Sequence, residues 1–206
     1  MVVRELVQRV QSGYSRGVES DDSRLSSRHI YNKFLTVRSV LIANRAKDRQ
    51  KISQWNYQTL PCIEMELAPI HECPCLPTDN CTILKSKYKI PRVLTDKDKH
   101  LIQSVTTLDG SFRFSEISWE QIKNQKGNKY AKTLSGYFIR DEYLYLSYDK
   151  EKEVVTMTAL FANPEEAYSF IGACTGAVIT CTSPLDKDFP ADSELLDGMI
   201  AITVQE

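Results

Sequence analysis

The chain has 206 residues, of which 42% are hydrophobic and 26% charged, a composition that excludes a disordered chain and suffices to bury a core. Eight Gly and eight Pro exclude collagen-like or low-complexity architecture, and no apolar run approaches the roughly 20 residues a membrane span needs. Net charge is −1 but graded: residues 1–55 carry 11 Lys/Arg against 5 Asp/Glu, residues 56–140 carry 12 against 9, and residues 141–206 carry 3 against 13, a gradient that suits self-assembly or a basic partner surface.

Met1 to Arg9 includes Arg4, Glu5 and Arg9 and has no apolar centre, so neither a signal peptide nor a secreted protein is expected. Val3, Leu6, Val7 and Val10 recur at helical spacing and predict a short amphipathic helix over Val2 to Ser12, with Gly13 at its C-terminus. Tyr14 to Ser23 is polar and reads as a loop. A second helix is predicted from Ser26, its cap, with Leu25 and Ile30 as a hydrophobic staple. Its apolar stripe is Ile30, Phe34, Val37 and Leu41, and no Gly or Pro interrupts before Pro61, so it is expected to run to about Arg49. Arg38, Arg45 and Arg49 fall on roughly one face; with Arg28 they are the candidate interface residues. The two helices together suggest a helical hairpin.

From Thr59 the pattern turns to strands. Ile63, Met65 and Leu67 alternate with Glu64 and Glu66, the period of a half-buried strand. Thr82 to Ile90 follows, with Lys85, Lys87 and Lys89 toward water. Ile102 to Phe114 contains Asp109-Gly110, a hairpin signal. Ser118 to Lys126 reads as a helical turn capped by Ser118, with Trp119 and Ile122 inward. Tyr137 to Ser147 and Glu153 to Leu160 read as two strands joined by a charged turn at Asp149 to Lys152. Asn163-Pro164-Glu165-Glu166 opens a short helix reaching about Phe170, with cap, N1 proline and acids in order. Gly172 to Pro184 reads as a loop. Pro190 to Gln205 reads as a terminal helix capped by Asp192 or Ser193.

A contiguous block of six to eight short strands between helices predicts an α+β protein. The N- and C-terminal helices are expected to pack as a small bundle with an inserted antiparallel β domain, a sandwich or barrel-like. The expected division is 1–57 (helical hairpin), 58–160 (β domain with a short helix) and 161–206 (C-terminal helices packing on the first two).

Signals for catalysis are weak. His71, Cys73, Cys75 and Cys81 could in principle close a tetrahedral zinc site. Cys-x-Cys is tighter than the usual ligand spacing, however, and Pro74 stiffens the pair, so a loop with small semi-buried thiols is the better reading. Cys62, Cys174 and Cys181 read as small hydrophobes, and nothing marks an oxidising compartment that would favour disulfides. Of the three histidines, His29 lies on a helix and His100 beside a charged turn. No nucleophile elbow and no phosphate-binding glycine pattern occurs. Arg45, Lys47, Arg49 and Lys51 form a basic run whose alternative reading is a nucleic-acid-binding module, although a pI near 6.3 weighs against a dedicated one.

The segment from Ser20 to Tyr31, reading Ser-Asp-Asp-Ser-Arg-Leu-Ser-Ser-Arg-His-Ile-Tyr and preceded by Arg4-Glu5-Leu6-Val7, resembles the opening of a structural protein of crAss-like tailed bacteriophages. Phe161 to Glu166 and Pro184 to Asp192 are similar to that group's C-terminal features. The resemblance spans both termini, with a divergent β block between. It implies a head–tail connector or neck ring protein, attached below the portal and lining the DNA exit channel. The implied location is the virion, with assembly in the host cytoplasm. The implied partners are further copies in a twelve-fold ring, the portal, other neck and tail proteins, and the passing double-stranded DNA. No membrane, cofactor or enzymatic activity is implied.

Overall fold

The computed structural model describes residues 1–15, 26–69, 83–97, 99–121, 135–147, 154–170 and 183–205. Among them the chain forms four α-helices: α1 (Val3–Tyr14), α2 (Ser27–Lys47), α3 (Pro164–Ser169) and α4 (Ser193–Gln205). Between α2 and α3 lie nine strands: β1 (Gln58–Leu67), β2 (Ile83–Ser86), β3 (Thr95–Asp96), β4 (Lys99–His100), β5 (Ile102–Thr107), β6 (Arg113–Glu116), β7 (Gly136–Arg140), β8 (Tyr143–Ser147) and β9 (Val154–Ala159). The fold is α+β: terminal helices packed together and a β domain inserted between them.

Seven strands close a barrel in the order β1-β2-β8-β7-β6-β5-β9, while β3 and β4 form a separate small hairpin. Every barrel seam is antiparallel except β6–β7, a short parallel one with Ser115 opposite Gly136 and Glu116 opposite Tyr137. Closure removes the unpaired edges that an open sheet would expose. Alternate residues of each strand fill the interior: Leu60, Val105, Leu144, Leu146, Val155, Met157 and Ala159 are fully buried. Each such Leu, Val or Met side chain contributes roughly 1.5–3 kcal/mol.

A second core lies among the helices. Leu6 and Val10 of α1, Ile30, Phe34 and Ile42 of α2, and Leu195 and Met199 of α4 pack together. Leu160 joins this core, whereas its neighbours Ala159 and Phe161 belong to the barrel core; the pleat sends successive side chains to opposite sides. The chain's two ends are also tied. Val3 N–H donates to Lys187 O at 3.0 Å and Phe189 N–H to Met1 O at 2.9 Å.

Local signals predict local structure well. The Ser26 side chain caps α2 by accepting from His29 N–H. Asn163 caps α3 with Pro164 in its first turn, and Asp192 Oδ1 accepts from Leu195 N–H at 2.7 Å at the start of α4. Ser118 and Gln121 bond reciprocally, side chain to peptide N–H, and Trp119 packs on Phe138. The staple residue Leu25, Ile122, the turn expected over 149–152 and all but the last two residues of the loop expected over 172–184 lie outside the described residues.

Three expectations are corrected. Gly13 does not end α1. It sits inside the helix, where a Cβ would come 3.2 Å from a methyl of Val204, so its lack of a side chain serves the approach of α4. Tyr137 to Ser147 is not one strand but the hairpin β7–β8, turning at Asp141-Glu142 with φ of 52° and 65°. Both residues are left-handed, as a two-residue type I′ turn requires, but neither is the Gly or Asn that would have announced it. Cys62 is not a plain small hydrophobe: it is buried and disulfide-bonded. Sequence spacing and compartment do not decide such pairing; spatial proximity does. Cys62 also sits in a bulge of β1, where three steps from Leu60 to Ile63 face two from Met157 to Val155, with φ of 57°. Pro61, which cannot donate to a ladder, is accommodated there.

Candidate assembly interface

The candidate arginines all lie on α2 or just beyond it, and the fold gives them different surroundings. Arg38 is fully buried. It stands four residues after Phe34 and four before Ile42, so helical geometry places it on the apolar stripe. Its guanidinium donates to three main-chain carbonyls: Nε to Pro190 O at 3.1 Å, Nη1 to Phe161 O at 2.8 Å and Nη2 to Asn56 O at 3.1 Å. Those carbonyls belong to the entry to the barrel, the exit from it and the approach to α4. Burial lowers the Arg38 pKa to about 10, partly opposed by Tyr168 and Tyr31. With no exposed surface Arg38 cannot touch a neighbouring subunit, so the expectation that it is an interface residue is corrected: its role is to fasten the helices to the barrel.

Arg45 is also turned inward, with its side chain 17% exposed and lying 3.5 Å from Asp192 Oδ2 and 3.5 Å from Glu194 Oε1. Arg28 and Arg49 are exposed, near opposite ends of α2. The basic run after α2 is therefore broken electrostatically at its first member, while Lys47, Arg49 and Lys51 face water. Arg4 pairs with Asp186 at 2.6 Å, and the Met1 amino group lies 3.6 Å from Asp188. Part of the end-to-end charge gradient is thus satisfied within one subunit, where the basic N-terminal helices meet acids of residues 186–194.

The outer face of β2, β7 and β8 carries a second constellation. Phe138 and Tyr145 stack at 4.8 Å with rings 9° apart, and Trp119 adds a tilted contact to Phe138 at 5.2 Å. Cations stand at both ends: Lys85 Nζ lies 4.1 Å from the Tyr143 ring centre and Arg140 lies 5.6 Å from that of Trp119. Lys87 and Lys89 pair with Glu64 and Glu142, each at 3.0 Å, which balances much of the positive charge of the lysine row. Beside the stack, a cleft of about 650 Å³ is lined by Lys99, His100, Glu116, Trp119, Phe138 and Arg140, among others. It lies where β6 and β7 diverge after their two paired positions. His100 Nδ1 is 3.6 Å from Glu116 Oε1 across it. Sequence reading missed this cleft because it needs β4, β6 and β7 side by side; the spacing of Trp119, Phe138 and Arg140 along the chain carries no such signal.

His71, Cys73, Cys75 and Cys81 lie outside the described residues. Among the described residues, no group of three or more His, Cys, Asp or Glu side chains could hold a metal ion, and no helix is long and apolar enough to cross a membrane.

A family model described as phage tail ring protein 2 (CrAss_Ring_2) matches residues 5–206, which is the barrel together with nearly all of both helical ends. The chain belongs to this family. No curated protein matches it. As a phage tail ring protein, the chain is a structural component of a bacteriophage virion, and its working surfaces are those that meet other copies and other tail proteins. For such a protein the exposed residues of α2, the barrel's outer aromatic face and the cleft beside it are the features of interest, and the charge pairs described above set the shape that presents them.

Proposed function

We propose that the chain is the subunit of a closed multimeric ring in the neck between head and tail, which docks on the portal and lines the exit channel of the double-stranded DNA. The match to the tail ring family over residues 5–206 carries this reading. The physical features support it. A ring subunit needs two different flanks that recognise each other, related by a rotation that closes. Three hydrophobic clusters, one helical, one inside the barrel and one of Ala68, Ile83, Ile117, Phe138 and Tyr145 on the barrel strands, with the helices fastened to the barrel through Arg38, give a body able to hold such flanks at a constant angle. In this reading residues 1–57 and 161–206 form one helical part and 58–160 the β part, the copy number is twelve, and assembly proceeds in the host cytoplasm. Arg28 on α2 and Arg49 just beyond it, both exposed, are the arginines that contact neighbours.

The decisive experiment is imaging of the purified virion neck at side-chain resolution, with the chain expected as a closed ring between portal and tail. A chain absent from infectious particles would end the proposal. In solution the isolated chain is expected to be a monomer or a poorly ordered oligomer that enters a ring only when portal protein is added, as mass measurement with and without portal would detect. A stable two-fold dimer would count against it. Charge reversal at Arg28 and Arg49 is expected to reduce incorporation while leaving folding stability within about 0.5 kcal/mol.

A further inference from the structure

The hairpin β5–β6 ends in a rigid tip. Thr107 N–H donates to Phe112 O at 3.0 Å, and Gly110 N–H to Thr107 O at 2.9 Å. Phe112 N–H donates to Thr107 Oγ1 at 3.2 Å. The Asp109 carboxylate accepts from the Thr107 hydroxyl, from Ser111 N–H at 3.2 Å and from Ser111 Oγ at 2.8 Å. Gly110 turns the chain with φ of 68°. These bonds pre-order a loop that presents two large apolar side chains to water: Leu108 is 56% exposed and Phe112 36%. Asp109, between them in sequence, is exposed too.

The cleft described above lies at the other end of the same hairpin. Val105 pairs with Phe114 and Thr106 with Arg113, so the tip extends past one end of the ladder. Lys99 and His100, before β5, and Ile117 to Trp119, after β6, border the cleft past the other end. A six-residue strand separates the two by about 20 Å, so a subunit's tip cannot reach its own cleft. The chemistry of the two matches. The cleft wall offers the half-buried Trp119 and Ile139 over the buried Ile117 and Phe138, and its rim carries Lys99 and Arg140 beside Glu116, with Asp141 3.4 Å from Arg140 on the outer side. The tip offers two apolar side chains and one carboxylate.

We propose that the hairpin tip of one copy inserts into the cleft of the next, with Leu108 and Phe112 against Trp119 and Ile139, and Asp109 facing Lys99 and Arg140. This rests on the ring reading and specifies its subunit contact. Because tip and cleft are different surfaces at opposite ends of one hairpin, the contact is head-to-tail, the kind that generates rings and not two-fold dimers. The pre-ordered tip loses little conformational freedom on docking.

The test is photo-cross-linking in the assembled particle. Benzoylphenylalanine is placed at position 112 of the full chain, or at position 108 as a second probe. The labelled chain is supplied during infection alongside the wild-type chain, so that labelled copies enter the ring as a minority. Irradiated particles are expected to yield copy-to-copy cross-links from the probe to residues 99–100, 116–119 or 138–140 of the next copy. The yield is expected to fall about tenfold when the unlabelled copies carry Trp119→Ala, a change at a half-buried side chain outside the barrel interior. Cross-links to another face of the neighbour, or none from either position in particles that contain the labelled chain, would overturn this contact and leave the ring reading standing. Absence of the wild-type chain from particles would remove the ring reading and this contact with it.

Discussion

Asn56 and Asp192 form a two-way pair across 136 positions of sequence. The Asn56 Nδ2 amide donates to Asp192 Oδ2 at 3.0 Å, and Asn56 Oδ1 accepts from the Asp192 peptide N–H at 2.9 Å. Asp192 also caps α4 through Leu195 N–H and lies 3.5 Å from Arg45. One carboxylate therefore starts a helix, holds the entry to the barrel and balances a cation. Asp192→Ala is expected to destabilise the fold by about 2–3 kcal/mol, more than the ~1 kcal/mol of a cap alone. Asn56→Ala combined with Asp192→Ala should cost less than the two single changes added together, because both remove the same pair. Denaturant unfolding of the two single variants and the double variant checks this.

Arg38 is the buried cation most central to the joint between helices and barrel. Arg38→Ala leaves the carbonyls of Asn56, Phe161 and Pro190 without their donor and opens a void, with an expected loss of about 3–5 kcal/mol. Arg38→Lys restores the charge but not the fork, since an ammonium on a flexible stem cannot reach three divergent carbonyls as a planar guanidinium does. It should recover less than half of the loss. Equal stability of the wild type and Arg38→Ala in a melting experiment would show that the three bonds are not held in solution.

Gly136 begins β7 at the one parallel seam. A Cβ there would stand 2.7 Å from Ile117 Cγ2 and 2.7 Å from Ser115 O, and the second of these is main chain that cannot swing aside. Gly136→Ala is expected to destabilise by about 1–3 kcal/mol. It should also raise amide exchange at Ile117, whose N–H donates to Tyr137 O at 2.9 Å, more than at Val155 or Met157 on the far side of the barrel. Uniform acceleration of exchange across the barrel would contradict a local opening of the seam.

Alkaline pH should unfold the protein. Tyr31 and Tyr137 are each pushed up from 10.0 to about 12, foremost by burial and secondarily by Glu165 and Glu116 respectively. Burial raises Tyr57 and Tyr168 as well. A phenol with a raised folded pKa keeps its proton while the unfolded chain releases it. Its contribution is therefore fully present below pH 10 and lost as pH climbs through about 12. Arg38 acts the other way: burial lowers its folded value to about 10, below its ordinary one, so stability tied to it rises as pH climbs past 10. Four phenols outweigh one guanidinium. The melting temperature should fall steadily above pH 10, and Tyr31→Phe should flatten part of that fall. A flat profile to pH 12 would refute the sign.

Legibility in the sequence followed the range of the interaction. Ser26, Asn163-Pro164 and Asp192 could be read as caps because a cap bonds a peptide group within three residues, and Asp109-Gly110 marked its hairpin because turn geometry is local. Arg38 could have been placed inside by noticing that it shares a face with Phe34 and Ile42, but an arginine among arginines reads as surface. Asp141-Glu142 hid a turn because Glu142 has no preference for left-handed backbone and is held there by the strands it joins, so Asp141 alone gave too weak a signal. The candidate site was less legible than the fold: the arginine face dissolved into one buried, one paired and two exposed side chains, and the cleft had no motif at all.

The amino-acid order by itself determined the class of the protein: helices at both ends, short strands between, and the apolar periodicities that decide which side of each element faces inward. These depend on neighbours one helical turn or two strand positions away. Barrel closure, the parallel β6–β7 seam, the pairing of N-terminal cations with C-terminal acids and the opposed positions of the hairpin tip and the cleft were decided only by tertiary structure. Each depends on which distant segments come within hydrogen-bonding or packing distance, a property of the whole chain's lowest free-energy packing and not of any stretch of it.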